Sequence, residues 1–207
     1  MGRDRPPNRY CPGRRGSCSR HRVRDVTRRS FLVVIGGTLA WPVLEAQAQP
    51  SSPATIMLMR HGEDMGETSF HLNPRGYQRA EALPRLFSSR LPTPQVIIAT
   101  RASKGSNRPV ETVKPLSRQL RLSIDSRFRD HDYNALGHAL LTDERYVAKV
   151  TLVCWHHGTM PNLAMALGVK GAPRWPGSQF DRVWVIDPRR QPVTLDEVHQ
   201  LLLDGDQ

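Results

Sequence analysis

Residues 55–63 read TIMLMRHGE, an uninterrupted apolar run that ends abruptly in charged and imidazole side chains. The run itself, residues 55–59, is typical of a strand that is buried on both faces. Strands of this kind belong to parallel sheets, because helices cover both faces of such sheets. The stretch therefore predicts a central strand of an α/β domain, with Arg60, His61 and Glu63 at the carboxyl end of that strand.

Strands and helices alternate along the rest of the chain. Short apolar runs predict further strands at residues 95–99, 151–155 and 182–186. Apolar residues at helical spacing predict helices over residues 77–87, over residues 108 to about 120, over residues 161–167 and, at the C-terminus, over residues 196–203. This alternation predicts an α/β fold, a three-layer sandwich with a mostly parallel central sheet flanked by helices.

The positive charge of the chain is concentrated near its N-terminus. Lys and Arg number 30 against 19 Asp and Glu, a formal net charge of +11. Residues 1–48 hold ten arginines and three acidic residues, and they therefore carry +7 of that charge. A basic excess spread over a whole domain would favour nucleic-acid binding. Because the remaining residues are only mildly basic, no nucleic-acid partner is expected.

Residues 1–48 have the organisation of an export signal. The pair Arg28 and Arg29 precedes an apolar run, residues 31–44, which is shorter than the roughly 20 residues that span a bilayer. A small-x-small tripeptide then ends at Ala48. The segment resembles a twin-arginine (Tat) signal peptide that is cleaved after Ala48. The alternative interpretation is a basic tail followed by a buried helix.

The signal divides the chain into residues 1–48, a linker at residues 49–54 and a folded domain at residues 55–207. Passage through the Tat export machinery implies a periplasmic or secreted domain, with no stable membrane anchor after cleavage. Cleavage would leave Cys154 as the only cysteine, so no internal disulfide is expected. Cys154 lies within an apolar run, which indicates a buried small side chain rather than a nucleophile.

A second strand end also carries unusual side chains. His156 and His157 follow the strand predicted at residues 151–155, and Arg108 begins a predicted helix. Because the carboxyl ends of parallel strands meet at one edge of a sheet, these residues are expected beside Arg60 and His61. Guanidinium groups give paired donors to phosphate oxygens, and a helix N-terminus adds backbone donors. The sequence therefore predicts a site for a tetrahedral oxyanion such as phosphate.

Four segments resemble the histidine phosphatase superfamily, which includes phosphoglycerate mutase-like phosphatases. RHGE at residues 60–63 resembles its signature, and LNPRGYQRA at residues 72–80 is similar to its Leu-Thr-x-x-Gly-x-x-Gln-Ala segment. RPVET at residues 108–112 resembles the Arg-x-x-x-Thr segment with which a superfamily helix begins. CWHHG at residues 154–158 resembles the end of the strand that carries the superfamily's second histidine. The resemblance spans roughly residues 55–187 and implies a phosphoglycerate mutase-like fold.

The resemblance implies metal-independent hydrolysis of a phosphomonoester, with a phosphorylated substrate and no cofactor. His61 is then the nucleophile that forms a phosphohistidine. Arg60, Arg108 and His157 bind the phosphoryl oxygens, and His157 counts among the catalytic residues. Two alternatives remain: a non-catalytic phosphate-binding or regulatory module of the same fold, and a phosphoglycerate mutase-like phosphotransferase.

The general acid that protonates the leaving oxygen is left open. Superfamily members use a Glu or Asp between the arginine helix and the second histidine. Asp130 is favoured here because it lies two residues after an apolar position, as the superfamily's Glu does, and Asp132 follows closely. Glu63, beside the signature, is a third candidate. Each of the three could equally be a solvated loop carboxylate.

His156 is interpreted as a supporting or structural residue, because the superfamily places its working histidine directly before the glycine. The three histidines His61, His156 and His157 could instead ligate zinc. Two arginines beside them would repel a dication, so no metal is expected.

Overall fold

The computed structural model describes residues 52–66 and 69–206. The predicted signal peptide, residues 1–48, lies outside the described residues. In the described part of the chain, no helix combines the length and apolar character needed to cross a membrane.

Six strands form a single mixed sheet. They are β1 (Thr55–Arg60), β2 (Val96–Ala99), β3 (Ile124–Asp125), β4 (Val150–Trp155), β5 (Arg182–Ile186) and β6 (Leu195–His199). The strand order is β3-β2-β4-β1-β5-β6. Strands β1 to β4 pair in parallel, whereas β5 runs antiparallel to both of its neighbours. The predicted mostly parallel sheet of an α/β fold is confirmed.

Helices cover both faces of the sheet. They are α1 (Pro74–Ser89), α2 (Arg108–Leu120), α3 (Tyr133–Thr142) and α4 (Met160–Ala166). Leu83 of α1 and Val113 of α2 belong to one hydrophobic cluster with the strand residue Cys154. Leu136 of α3 and Leu163 of α4 belong to the cluster on the other face. The predicted three-layer sandwich is therefore observed, and Cys154 is fully buried within it.

The helix predicted over residues 196–203 is wrong. Residues Leu195–His199 form β6, an edge strand in which Val198 pairs with Val183 of β5. The indole N–H of Trp184 also donates to a carboxylate oxygen of Glu197 at 3.2 Å. Pairing with β5 thus outweighs the helical spacing of the apolar residues. Helix α3 and the two-residue strand β3 have no counterpart among the predicted elements.

The loop after β1 packs directly on the first turn of α1. Asn73 caps that helix by accepting the Gly76 N–H at 2.8 Å. A Cβ atom on Gly76 would lie 2.2 Å from the Glu63 carbonyl oxygen, and one on Gly62 would lie 3.0 Å from the Gly76 carbonyl oxygen. Only glycine permits this approach of two backbones. The two glycines therefore position the loop that carries His61.

Candidate active site

The carboxyl ends of β1 and β4 open on a cavity of about 560 Å³. Six of the residues predicted for the site line this cavity: Arg60, His61, Arg108, Asp130, His156 and His157. Glu63 and Asp132 are not among the described residues that line it. The topology thus brings together residues that are almost a hundred positions apart in the sequence.

His61 is a buried neutral imidazole. Only 1% of the residue is exposed, and Nδ1 lies 2.8 Å from the Gly62 carbonyl oxygen. Because a carbonyl can only accept, Nδ1 carries the proton and Nε2 keeps its lone pair. Burial lowers the pKa of His61 to about 2; the Gly62 carbonyl opposes this shift, while the charges of Arg60 and Arg108 add to it. His61 therefore has the protonation state that a nitrogen nucleophile needs.

A buried threonine ties the His61 loop to α2. The Gly62 N–H donates to Thr112 Oγ1 at 2.8 Å, and the Thr112 hydroxyl donates to the Arg108 carbonyl oxygen at 2.8 Å. Thr112 is fully buried, so both bonds are shielded from water. These bonds fix the position of His61 relative to the start of α2, where Arg108 lies.

Arg60 is held against one wall of the cavity. One of its Nη groups donates to the Gly177 carbonyl oxygen, and its guanidinium carbon lies 3.7 Å from the centre of the Phe180 ring. Burial, together with the charge of Arg108, lowers the pKa of Arg60 to about 10, although Asp64 opposes the shift. The side chain thus stays cationic at neutral pH. Its Nε is buried and has no hydrogen-bond partner among the described residues. A bound oxyanion would satisfy such a donor.

Arg108 lies at the N-terminus of α2 and lines the same cavity. Its Nε donates to Ser106 Oγ at 2.9 Å, and Nη1 donates to Asp64 and, at 3.3 Å, to the Gly66 carbonyl oxygen. Its side chain is 10% exposed. Two guanidinium groups and the N-terminus of the 13-residue helix α2 therefore face one cavity. This arrangement favours a multiply charged anion.

The two consecutive histidines occupy different surroundings. The His156 ring lies edge to face with the His61 ring, with centroids 5.2 Å apart. Burial and the charges of Arg108, His157 and Arg60 lower the pKa of His156, although Asp130 opposes the shift. His157 lies toward the Gly177 loop, since a Cβ on Gly177 would be 3.4 Å from its Nε2. His156, interpreted from the sequence as a supporting residue, is thus in direct contact with His61.

Asp130 is held in place by a short chain of hydrogen bonds. The Trp155 indole N–H donates to Thr159 Oγ1 at 3.0 Å, and the Thr159 hydroxyl donates to Asp130 Oδ1 at 2.5 Å. Thr159 has a single hydroxyl hydrogen, and Asp130 Oδ1 is a closer acceptor for it than the His156 carbonyl oxygen at 3.5 Å. This chain of hydrogen bonds holds the Oδ1 side of the Asp130 carboxyl group, and Asp130 lines the cavity.

The other two candidate carboxylates, Glu63 and Asp132, form hydrogen bonds that stabilise the fold. Glu63 accepts hydrogen bonds from Arg79 at 2.7 and 3.0 Å and from Arg75 at 3.1 Å. Although burial raises the pKa of Glu63, these arginines lower it overall, so the group does not favour the protonated form of a general acid. Asp132 precedes α3 and accepts the Arg129 N–H at 2.8 Å. The structure therefore supports neither carboxylate as the acid, and Glu63 keeps a supporting role beneath the His61 loop.

Eight further residues line this cavity, and three of them contact Arg60 or Arg108 through their side chains: Asp64, Ser106 and Phe180. Asp64 directly follows the RHGE segment, so its place beside His61 could have been expected. Ser106 lies two residues before Arg108 and could have been expected there for the same reason. Phe180 comes from a loop without apolar periodicity, and no local signal places it against Arg60. Within the described ranges, no group of three or more His, Cys, Asp and Glu residues is arranged to hold a metal ion.

The chain matches no family model and no curated protein sequence. Several solved structures share its fold. The protein histidine phosphatase SixA in complex with tungstate is 17% identical, with a TM-score of 0.53 over 70% of this chain and 97% of that chain. A candidate phosphohistidine phosphatase SixA from Agrobacterium tumefaciens is 23% identical, with a TM-score of 0.51 over 72% of this chain and 99% of that one. The described chain therefore has the phosphoglycerate mutase-like α/β fold that these phosphatase structures share.

Proposed function

We propose that this protein is a member of the histidine phosphatase superfamily and hydrolyses a phosphomonoester through a phosphohistidine on His61, without a metal. The observation that carries the proposal is a buried, neutral His61 in a cavity that it shares with two cationic guanidinium groups. The neutral imidazole supplies the nucleophile, and Arg60 and Arg108 supply charge for the phosphoryl oxygens. The same two cations disfavour a dication between the histidines.

In the first step, His61 Nε2 attacks phosphorus while the bond from phosphorus to the ester oxygen breaks. The leaving oxygen takes a proton from Asp130, whose carboxyl group is oriented by Thr159. Arg60 and Arg108 neutralise the charge on the equatorial oxygens during the transfer. The products of this step are an alcohol and a phosphorylated His61.

In the second step, water attacks phosphorus and the bond between phosphorus and Nε2 breaks. Asp130, now ionised, takes a proton from the attacking water, so that inorganic phosphate leaves and both side chains return to their starting states. His156 lies beside His61. We propose that it donates a hydrogen bond to a phosphoryl oxygen in both steps. We therefore assign to His156 the phosphate-binding role that the sequence suggested for His157.

Turnover of a generic aryl phosphate tests the proposal. The purified protein is assayed with and without EDTA, beside His61→Ala and the matched control His138→Ala, which changes an exposed histidine of α3. Activity that survives EDTA and the control substitution, and that vanishes in His61→Ala, supports the proposal. Activity lost to EDTA would contradict metal independence. Phosphate binding without any turnover would favour the non-catalytic alternative instead.

The proposal includes export through the Tat pathway, on the basis of residues 1–48. Replacement of Arg28 and Arg29 by lysine keeps the charge and removes the twin-arginine pair. Cell fractionation should then find the protein inside the cell rather than in the periplasm or medium. Unchanged export of this variant would argue against a Tat signal.

A further inference from the structure

Asp64 is a carboxylate in a cavity that otherwise suits anions. Its Oδ2 lies 3.7 Å from His61 Nδ1 and pairs with Nη1 of Arg108. Only 8% of the side chain is exposed, so its charge is poorly screened by water. A negative charge at this position would weaken phosphate binding, because it lines the same cavity and occupies one donor of Arg108.

The proposed reaction creates a charge that this carboxylate would stabilise. When Nε2 of a neutral His61 bonds to phosphorus, Nδ1 still carries its proton, so the ring becomes a phosphorylated imidazolium cation. That cation forms where only 1% of the residue is exposed. Burial of an uncompensated charge is costly, and the Gly62 carbonyl offers only a dipole. Asp64 is the anionic side chain nearest to Nδ1 among the ion pairs of the described residues.

We propose that Asp64 is the counter-ion of the phosphorylated His61 ring and that it accelerates phosphoryl transfer at the expense of ground-state anion binding. The inference rests on the proposed phosphatase function. In the free protein His61 is neutral and gains little from the carboxylate. In the transition state the ring carries positive charge, so the attraction appears only as the reaction proceeds, which is the condition for a rate effect.

Two measurements on Asp64→Asn test this inference, because one reports phosphoryl transfer and the other reports anion binding. Asparagine preserves the shape of the side chain and removes its charge. The value of kcat/KM for an aryl phosphate, which reports every step through phosphorylation of His61, should fall by about tenfold or more. The inhibition constant of inorganic phosphate should stay the same or fall, because a repulsive charge is removed and Arg108 is released. Tight phosphate binding also shows that the variant is folded.

Similar losses of kcat/KM and of phosphate affinity in Asp64→Asn would overturn the proposal. If Asp64 only positioned Arg108, then kcat/KM would fall and the inhibition constant of phosphate would rise by similar factors. An unchanged kcat/KM would overturn it as well. Asp64→Glu keeps the charge and should retain more of kcat/KM than Asp64→Asn. Asp187→Asn is a matched control, since Asp187 pairs with Arg189 away from the cavity.

The same assays separate this inference from the proposed function. A wild-type protein without turnover, or a His61→Ala variant with full turnover, would overturn both. An active wild type that depends on His61, together with an Asp64→Asn variant of normal kcat/KM, would overturn the role of Asp64 and leave the proposed function standing.

Discussion

The imidazole rings of His61 and His156 lie edge to face, with their centroids 5.2 Å apart. The register of the sheet explains this contact, because β1 and β4 pair in parallel with Arg60 opposite Trp155. His61 and His156 are therefore the first residues beyond two adjacent strand ends. His157 lies one residue further along, toward the Gly177 loop.

This register predicts a difference between the two consecutive histidines. His156→Asn should lower kcat/KM for an aryl phosphate by about a hundredfold, as expected when a preorganised donor to a transferring group is lost. His157→Asn, the matched control, should have a smaller effect. Steady-state kinetics of the two variants make the comparison. A larger loss in His157→Asn would restore the assignment that the sequence suggested.

The buried neutral state of His61 predicts that stability depends on pH. In the unfolded chain His61 takes up a proton near pH 6.5, whereas in the folded chain its pKa is lowered to about 2. Between these values the unfolded state binds more protons, so the free energy of unfolding falls as the pH falls, by about 1.4 kcal/mol per pH unit. This contribution is fully present above pH 6.5 and is lost progressively in acid.

Urea unfolding at pH 7 and pH 5 measures this dependence. Between the two values the wild type should lose ~2 kcal/mol more stability than His61→Gln, whose side chain does not titrate. Equal losses in the two proteins would mean that His61 takes up a proton in the folded state.

The hydrogen bond from Thr159 to Asp130 predicts a leaving-group effect. Thr159→Val keeps the shape of the side chain and removes the donor that orients Asp130. Aryl phosphates with poor leaving groups need protonation most, so their kcat/KM should fall by about tenfold, while good leaving groups should be much less affected. Thr159→Ser retains the hydroxyl and should restore activity toward poor leaving groups. A uniform loss across all leaving groups would indicate a general packing defect instead.

Loss of a buried ion pair of Arg79 should lower the stability of the protein without lowering its catalytic activity. Arg79 and Asp206 are bonded at 2.7 Å, and their side chains are 2% and 3% exposed. Asp206→Asn should lower the free energy of unfolding by about 3 kcal/mol, because it leaves a buried guanidinium with one carboxylate fewer. Asp187→Asn, at an exposed pair with Arg189, should cost less than about 1 kcal/mol. Comparable losses in urea unfolding would contradict this account of Asp206.

Most of the fold follows from local sequence patterns. The apolar runs of β1 and β4 depend only on neighbouring residues, so they can be recognised one segment at a time. β6 could not be recognised in this way, because its pairing with β5 is a tertiary contact that competes with the helical spacing of residues 196–203.

The candidate site was predictable in its residue types but not in their arrangement. The strand ends identify Arg60, His61 and the two histidines that follow β4, because parallel strands share one carboxyl edge. The contact between His156 and His61 depends on register, which the sequence does not reveal. Likewise, the sequence alone makes Glu63 a candidate for the general acid. It does not reveal that Arg79, sixteen residues further along, binds this carboxylate.

The central claim is the covalent intermediate on His61. The wild-type protein is mixed with an aryl phosphate, quenched in alkali, where phosphohistidine survives, and digested for peptide mass spectrometry. We predict a phosphoryl group on His61, in a form that acid removes. A phosphoryl group on His156 or another side chain, or undiminished turnover by His61→Ala, would contradict the account.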